Sequence, residues 1–400
     1  MYRRLWLSSL ALGLLSLALF LFRIGTPSEY IFDEANYIPA ARAFLHHQGQ
    51  DLNPEHPPLA KMLMALGMKF AGESPAGWRF ASAVCGSLTL VAIFLWTYVL
   101  LQDYGLALTA AALTLLNNFL FVMSRVAMLD AFFFAFVMWG VLGFTAAVML
   151  DIQTSRRRAL IIFSGLMFGL GGACKWTAVV TLAATVLMAA MLFIFRNRQV
   201  REIDLPALIL GLIFAPVAAY CAAYWVLFHE LHRAFSVKEF VAMNSFIWRY
   251  HVNCPGNFIF HVPWYRWFFR TVPERRLSYL MGNWVVLWVG LLALVFCAFQ
   301  ALKNFTKAIP EAIVCLLYFI NLLQWLMIPQ KLTCYYYYYP PAMFLGVALV
   351  IVLVRARTWS FAGLRPGLVV VAAAAVFFLF CYQRMADLRP PFDCALGCWP

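Results

Sequence analysis

Two adjacent carboxylates, Asp33 and Glu34, occur in the run Ile31-Phe32-Asp33-Glu34-Ala35-Asn36-Tyr37. Acids so placed are able to take a proton from a hydroxyl and to orient the group that gives it; the plainer reading is a solvated acidic pair at a surface. Farther on, Glu55 and His56 precede Pro57-Pro58, and Lys61 follows. The prolines dictate an extended approach to a helix with Lys61 in its first turn. The helix dipole favours anions there, so a cation at that place points to an anionic partner, with a snorkelling lysine as the alternative. Arg125 and Asp130, in Ser124-Arg125-Val126-Ala127-Met128-Leu129-Asp130, are too far apart for a helical i, i+4 pair. Each either serves a separate partner or stands as an interfacial anchor and a helix N-cap. Lys175-Trp176 adds one more cation beside an indole, a pairing that also anchors helices at interfaces.

The elements that must position these residues are membrane helices. Of the 400 residues, 64% are hydrophobic and 12% charged, with a mean hydropathy of +0.81. The apolar residues fall in runs of roughly 20, the length that crosses a bilayer as helix, and they lack the strict alternation of a barrel strand. Eleven spans are predicted, over 5–24, 80–101, 106–123, 131–150, 159–174, 177–195, 205–228, 283–302, 311–328, 340–354 and 367–382. The first is read as a retained span, because Leu21-Phe22-Arg23 offers no small-residue cleavage site. Short loops carrying Arg156-Arg157-Arg158, Arg196/Arg198/Arg201, Lys303/Lys307 and Arg355/Arg357/Arg365 share a side with Arg3/Arg4, the side that the positive-inside rule assigns to the cytoplasm. The loops 25–79 and 229–282 and the tail from Gln383 then lie outside, together with every cluster named above. The predicted organisation is a seven-span core with a catalytic first outer loop over 1–228, an outer loop over 229–282, and a four-span region with an outer tail over 283–400.

The net charge of +13 is spread over many loops, without the stripe or fold that nucleic-acid binding needs. Most of the ten cysteines fall within spans; Cys394 and Cys398 lie in the outer tail, where an oxidising compartment permits a disulfide. Five consecutive tyrosines, Tyr335 to Tyr339, precede Pro340-Pro341. They read as an aromatic interface belt in preference to a sugar-stacking platform. No internal repeat is evident, and the polar clusters gather at the outer face, which argues against a transporter of lipid-linked sugars.

Taken together and in order, these segments resemble the protein O-mannosyltransferases, within the polytopic GT-C glycosyltransferases that use polyprenyl-phosphate sugars. Phe32-Asp33-Glu34 is similar to the family's Asp-Glu signature, His56-Pro57-Pro58-Leu59-Ala60-Lys61 to its HPPLxK stretch, Arg125 to Asp130 to its RxxxLD element and Lys175-Trp176 to its KW turn. Gly282-Asn283 and the tyrosine run resemble features of its C-terminal region. The resemblance implies an all-helical GT-C fold and one inverting displacement that moves a hexose, with mannose favoured, onto a hydroxyl acceptor. Protein Ser or Thr is the acceptor it suggests. At 400 residues there is no room for the β-trefoil domain of eukaryotic members, so a bacterial type in the inner membrane, with a periplasmic active site, is implied.

On that resemblance Asp33 is the base and Glu34 orients it or the acceptor. Arg125 is the first choice for the donor phosphate, because its planar fork can hold two oxygens. Lys61, His56 and Lys175 are further phosphate candidates, and Tyr37, Asp130, Trp176 and Asn283 are donor or acceptor contacts. A phosphate leaving group needs no general acid, and no cofactor is required. The nearest rival is an aminoarabinose-type transferase to lipid A, in which Glu55 and a loop histidine, His251 or His261, would bind a divalent metal such as zinc.

Overall fold

The computed structural model describes residues 2–194, 205–253, 262–270, 279–327, 333–355 and 365–386, and their regular structure is helical, with no strand. The segment after α1 (Tyr2–Leu21) holds two short helices, α2 (Glu34–Leu45) and α3 (Leu59–Ala71). α2 begins five residues ahead of Pro39, which lies inside it rather than in its first turn. The Asp33 carbonyl already accepts from the Asn36 and Tyr37 amides, so the turn closes before the proline. The carbonyl that Pro39 cannot serve is that of Ala35, and Ala35 is exposed.

Next come α4 (Pro75–Leu101), α5 (Tyr104–Leu115), α6 (Asn118–Met123), α7 (Leu129–Met149), α8 (Thr154–Cys174), α9 (Ala178–Ile194) and α10 (Leu205–Glu230). A surface helix, α11 (Val237–Asn253), precedes α12 (Val285–Lys303), α13 (Ile309–Met327), α14 (Tyr339–Arg355) and α15 (Pro366–Met385). Nine helices among the described residues are long and apolar enough to cross a bilayer, and the chain is a multi-pass membrane protein. α5 and α9 are apolar but shorter, and they stand where the third and sixth spans were predicted. The third span is interrupted because the Asn117 side chain accepts from the Phe119 amide and starts a new helix; asparagine caps helices better than it continues them.

Two glycines explain how α8 meets α10. A Cβ on Gly165 would come 1.6 Å from the Gly211 carbonyl oxygen, and one on Gly169 would come 2.2 Å from that of Pro216. The two backbones therefore touch, the close approach that small residues permit between membrane helices.

The tyrosine run corrects an expectation. Tyr335, Tyr336, Tyr338 and Tyr339 are buried in the protein, whereas an interface belt would face the headgroups. Two of the hydroxyls find partners inside the protein: the Tyr335 oxygen accepts from the Gly282 amide, and Tyr338 pairs with Tyr318 at 2.9 Å. Cys394 and Cys398 lie outside the described residues.

Candidate active site

The acid pair divides its work. Glu34 is fully buried, and both its oxygens are taken by the Arg79 fork, at 2.8 Å from Nε and 2.8 Å from Nη2. Its carboxylate also accepts from the amides of Ile31 and Ala127, each at 2.8 Å. Arg79 donates further to the carbonyls of Ile24, Pro27 and Glu29. With four donors on its two oxygens, Glu34 ties the segment between α1 and α4 to α4 itself and to the turn before α7. It neither contacts the Asp33 carboxyl nor stands open to an acceptor.

Asp33 is only half-buried, at the start of α2. The hydroxyls of Tyr37 and Tyr336 both reach its Oδ2, at 3.3 and 3.4 Å. Burial pushes its pKa up to about 6. Lys175 and the two phenols pull it down, and the negative charge of Asp130 adds to the rise. Lys175 itself pairs with Asp130, its Nζ lying 2.9 and 2.8 Å from the two oxygens. Its ammonium also faces the rings of Tyr337 and Tyr336, at 4.6 and 5.4 Å. An ammonium has three donors, and the pair with Asp130 uses two. Asp33, Lys175, Asp130, Tyr37 and Tyr336 are thus one constellation, drawn from both halves of the chain.

Lys175 joins this constellation to one end of a cavity of about 700 Å³, whose lining it shares with its neighbours. Lys175, His56, His251, Trp176 and Tyr337 face that end, and the remainder, between α8, α9, α10 and α11, is almost wholly apolar. His56 and His251 lie side by side with ring centroids 5.0 Å apart. Burial lowers the pKa of both, and the neighbouring Lys175 lowers each further, so both rings are neutral near pH 7. The Trp176 indole N–H donates to the Tyr220 hydroxyl at 3.0 Å, and Tyr220 donates to Asn244 on α11 at 2.5 Å. That chain of bonds fastens the surface helix over the cavity.

Three predicted contacts are occupied elsewhere. Arg125 donates to the carbonyls of Phe20, Phe22 and Arg23, at 2.7, 2.5 and 3.2 Å, so its fork caps the carbonyl end of α1 instead of presenting itself to a phosphate. Lys61 does have the anionic partner its position called for, but that partner is Asp51, with both oxygens 2.9 Å from Nζ. It donates as well to the carbonyls of Asn53 and His56, and burial lowers its pKa while Asp51 raises it. Asn283 is fully buried and donates to the carbonyls of Leu116 and Ala374, each 2.9 Å away. It ties α12 to its neighbours and touches neither the cavity nor Asp33.

Glu55 accepts from the Asn53 amide nitrogen at 2.5 Å, and His251 contacts the Glu55 carbonyl rather than its carboxylate. Among the described residues no three His, Cys, Asp or Glu side chains form a metal-holding group; His261 is outside them. Sequence reading missed Arg79, Asp51, Tyr336 and Tyr220. Arg79 left one clue, a guanidinium at the head of a 27-residue apolar helix, since such a charge must find a partner.

The family profile described as dolichyl-phosphate-mannose-protein mannosyltransferase matches residues 10–78 and 74–232. A polyprenol-phosphate-mannose–protein mannosyltransferase of Mycolicibacterium smegmatis is 30% identical over 238 residues, half of this chain and 44% of that one; the chain thus matches under half of that relative's length. The structure of the S. cerevisiae protein O-mannosyltransferase Pmt1–Pmt2 complex bound to the sugar donor superposes with a TM-score of 0.80 at 13% identity, over 96% of this chain and 90% of that one. ArnT from Cupriavidus metallidurans in the apo state gives 0.63 at 11% identity, over 96% and 76%. The fold is therefore that of the GT-C glycosyltransferases, and the chain belongs to the dolichyl-phosphate-mannose-protein mannosyltransferase family.

Proposed function

We propose that this protein is an inverting glycosyltransferase that moves mannose from a polyprenyl phosphate to a Ser or Thr hydroxyl of a protein on the outer face of the membrane. The observation that carries this reading is that Lys175, whose charge acts on Asp33, lines the polar end of an otherwise apolar cavity. A prenyl chain in that cavity stays out of water. Its phosphate then meets the third N–H of Lys175 and the rings of His56 and His251. The acceptor hydroxyl loses its proton to Asp33 as its oxygen bonds to the anomeric carbon, and the bonding pair of the departing C–O bond goes to the phosphate. Lys175 stabilises the charge that develops there. This chemistry needs no metal. The family match and the activity named for the mycobacterial relative support mannose and a protein acceptor over the lipid A reading.

The test is transfer from synthetic polyprenyl-phosphate mannose to Ser/Thr peptides, with purified protein in lipid nanodiscs and chelator present. Expected is peptide-linked mannose of inverted anomeric configuration. Label that appears on envelope lipid alone would replace the acceptor assignment, and no transfer to either would remove the reading.

A further inference from the structure

Asp33 is approached by phenols from opposite halves of the chain. Tyr37 lies one helical turn along α2, while Tyr336 comes from the 3-10 turn Tyr335–Tyr338 ahead of α14. Both hydroxyls reach the same oxygen, Oδ2. No donor among the described residues reaches Oδ1. Tyr336 has a second hold on this segment: its ring meets that of Phe32 edge-on, with centroids 5.6 Å apart. Phe32 has φ of 52°, a left-handed conformation that a bulky residue rarely adopts and that persists where surrounding contacts impose it. The same ring also faces the Lys175 ammonium.

We infer that Tyr336 and Tyr37 together fix the Asp33 carboxylate by its Oδ2 and leave Oδ1 as the atom that receives the acceptor's proton, Tyr336 being a positioning residue supplied by the C-terminal half. This rests on the transferase reading above. Both bonds are longer than the 2.5–3.0 Å of a strong O–H···O contact, so the phenols steer the carboxylate without clamping it. The proton moves from the acceptor oxygen to Oδ1 as the acceptor–carbon bond forms and the carbon–phosphate oxygen bond breaks. Phenols that donate to Oδ2 favour the ionised form. Lys175 favours it too, and burial and Asp130 oppose it; among the described residues, Tyr337 is the further titratable group that interacts with this carboxylate. The residues matched by the family profile stop at 232, so this assignment gives the C-terminal half a part in the reaction centre.

The experiment compares wild type with Tyr336→Phe and Tyr37→Phe, with Tyr338→Phe as a control that loses a hydroxyl of the same run bonded to Tyr318 instead. Two quantities are read: the pH dependence of kcat/KM, and the titration of the Asp33 carboxyl by infrared difference spectroscopy with isotope-labelled aspartate, Asp33→Asn serving as the blank. Tyr336→Phe should raise the infrared midpoint and the acid limb of kcat/KM by about 0.5–1 pH unit, since a donor to the charged form is lost. It should lower plateau kcat about 3- to 10-fold with donor KM within about twofold, the pattern of an interaction made in the transition state. Tyr338→Phe should leave the midpoint in place. An unchanged infrared midpoint in Tyr336→Phe overturns the inference whatever the activity. A midpoint shifted in Tyr336→Phe, together with a wild type that transfers no mannose, sinks the transferase reading instead and leaves the phenol pair standing.

Discussion

Removing the charge of Asp33 has two opposite consequences. As the proposed base it must be ionised, so kcat/KM should rise with pH through about 6, and Asp33→Asn should lower turnover by ~100- to 10,000-fold. Its pKa is raised by folding, however, so between its ordinary value and about 6 the folded state holds more protons than the unfolded one. Stability therefore falls as pH rises through that window, and the penalty is fully present above it. Asp33→Asn should accordingly stabilise the inactive protein at neutral pH by about 1–2 kcal/mol, with the gain vanishing near the ordinary carboxylate pKa. Thermal melts across pH check this, and a variant that is less stable at pH 7.5 would contradict the origin given for the shift. The acid pair was legible in the sequence, but its division of labour was not. Glu34 is settled by Arg79, 45 residues away, and by the Ala127 amide, 93 residues away, partners that no local pattern connects.

At the scale of helices, the long apolar runs were read correctly because twenty residues without charge leave few alternatives in lipid. The departure occurs where one side chain redirects the backbone: Asn117 breaks the third run. Arg125 belongs to this scale too. Spacing left it as either an interfacial anchor or the holder of a separate partner, and only the fold reveals that it holds the end of α1. Arg125→Ala should leave buried carbonyls without donors and destabilise the protein by about 1–3 kcal/mol, with donor affinity in the surviving folded fraction near wild type. Arg125→Lys should recover only part, since an ammonium lacks the fork. The decisive comparison is melting temperature against donor Kd: a variant with normal melting and weakened donor binding would return Arg125 to the phosphate.

For the whole molecule, the proposed sidedness rests on the bases of short loops. Reporters placed at Asp151 and after Asn253 should fall on opposite sides, because α8, α9 and α10 lie between them. The same side for both would mean that α9, at 17 residues, does not cross. Asn283 was the contact expected from the C-terminal half, and that Tyr336 supplies it instead could not be read beforehand, since a row of tyrosines has the same composition whether it faces lipid or a carboxylate. In the proposed reaction, the polar end of the cavity also governs the release of the spent carrier. The proposed donor is a phosphate diester with one negative charge, whereas the carrier it leaves behind is a monoester with about −1.5 to −2 at pH 7. It remains beside Lys175 and two desolvated imidazoles, and its added charge favours placing a proton on one of them. The spent carrier should therefore bind more tightly than the fresh donor, making its departure the slow step. Added polyprenyl phosphate should inhibit competitively with a Ki below the donor KM, and pre-steady-state mixing should show a burst of product; linear onset with no inhibition would show that the carrier leaves freely.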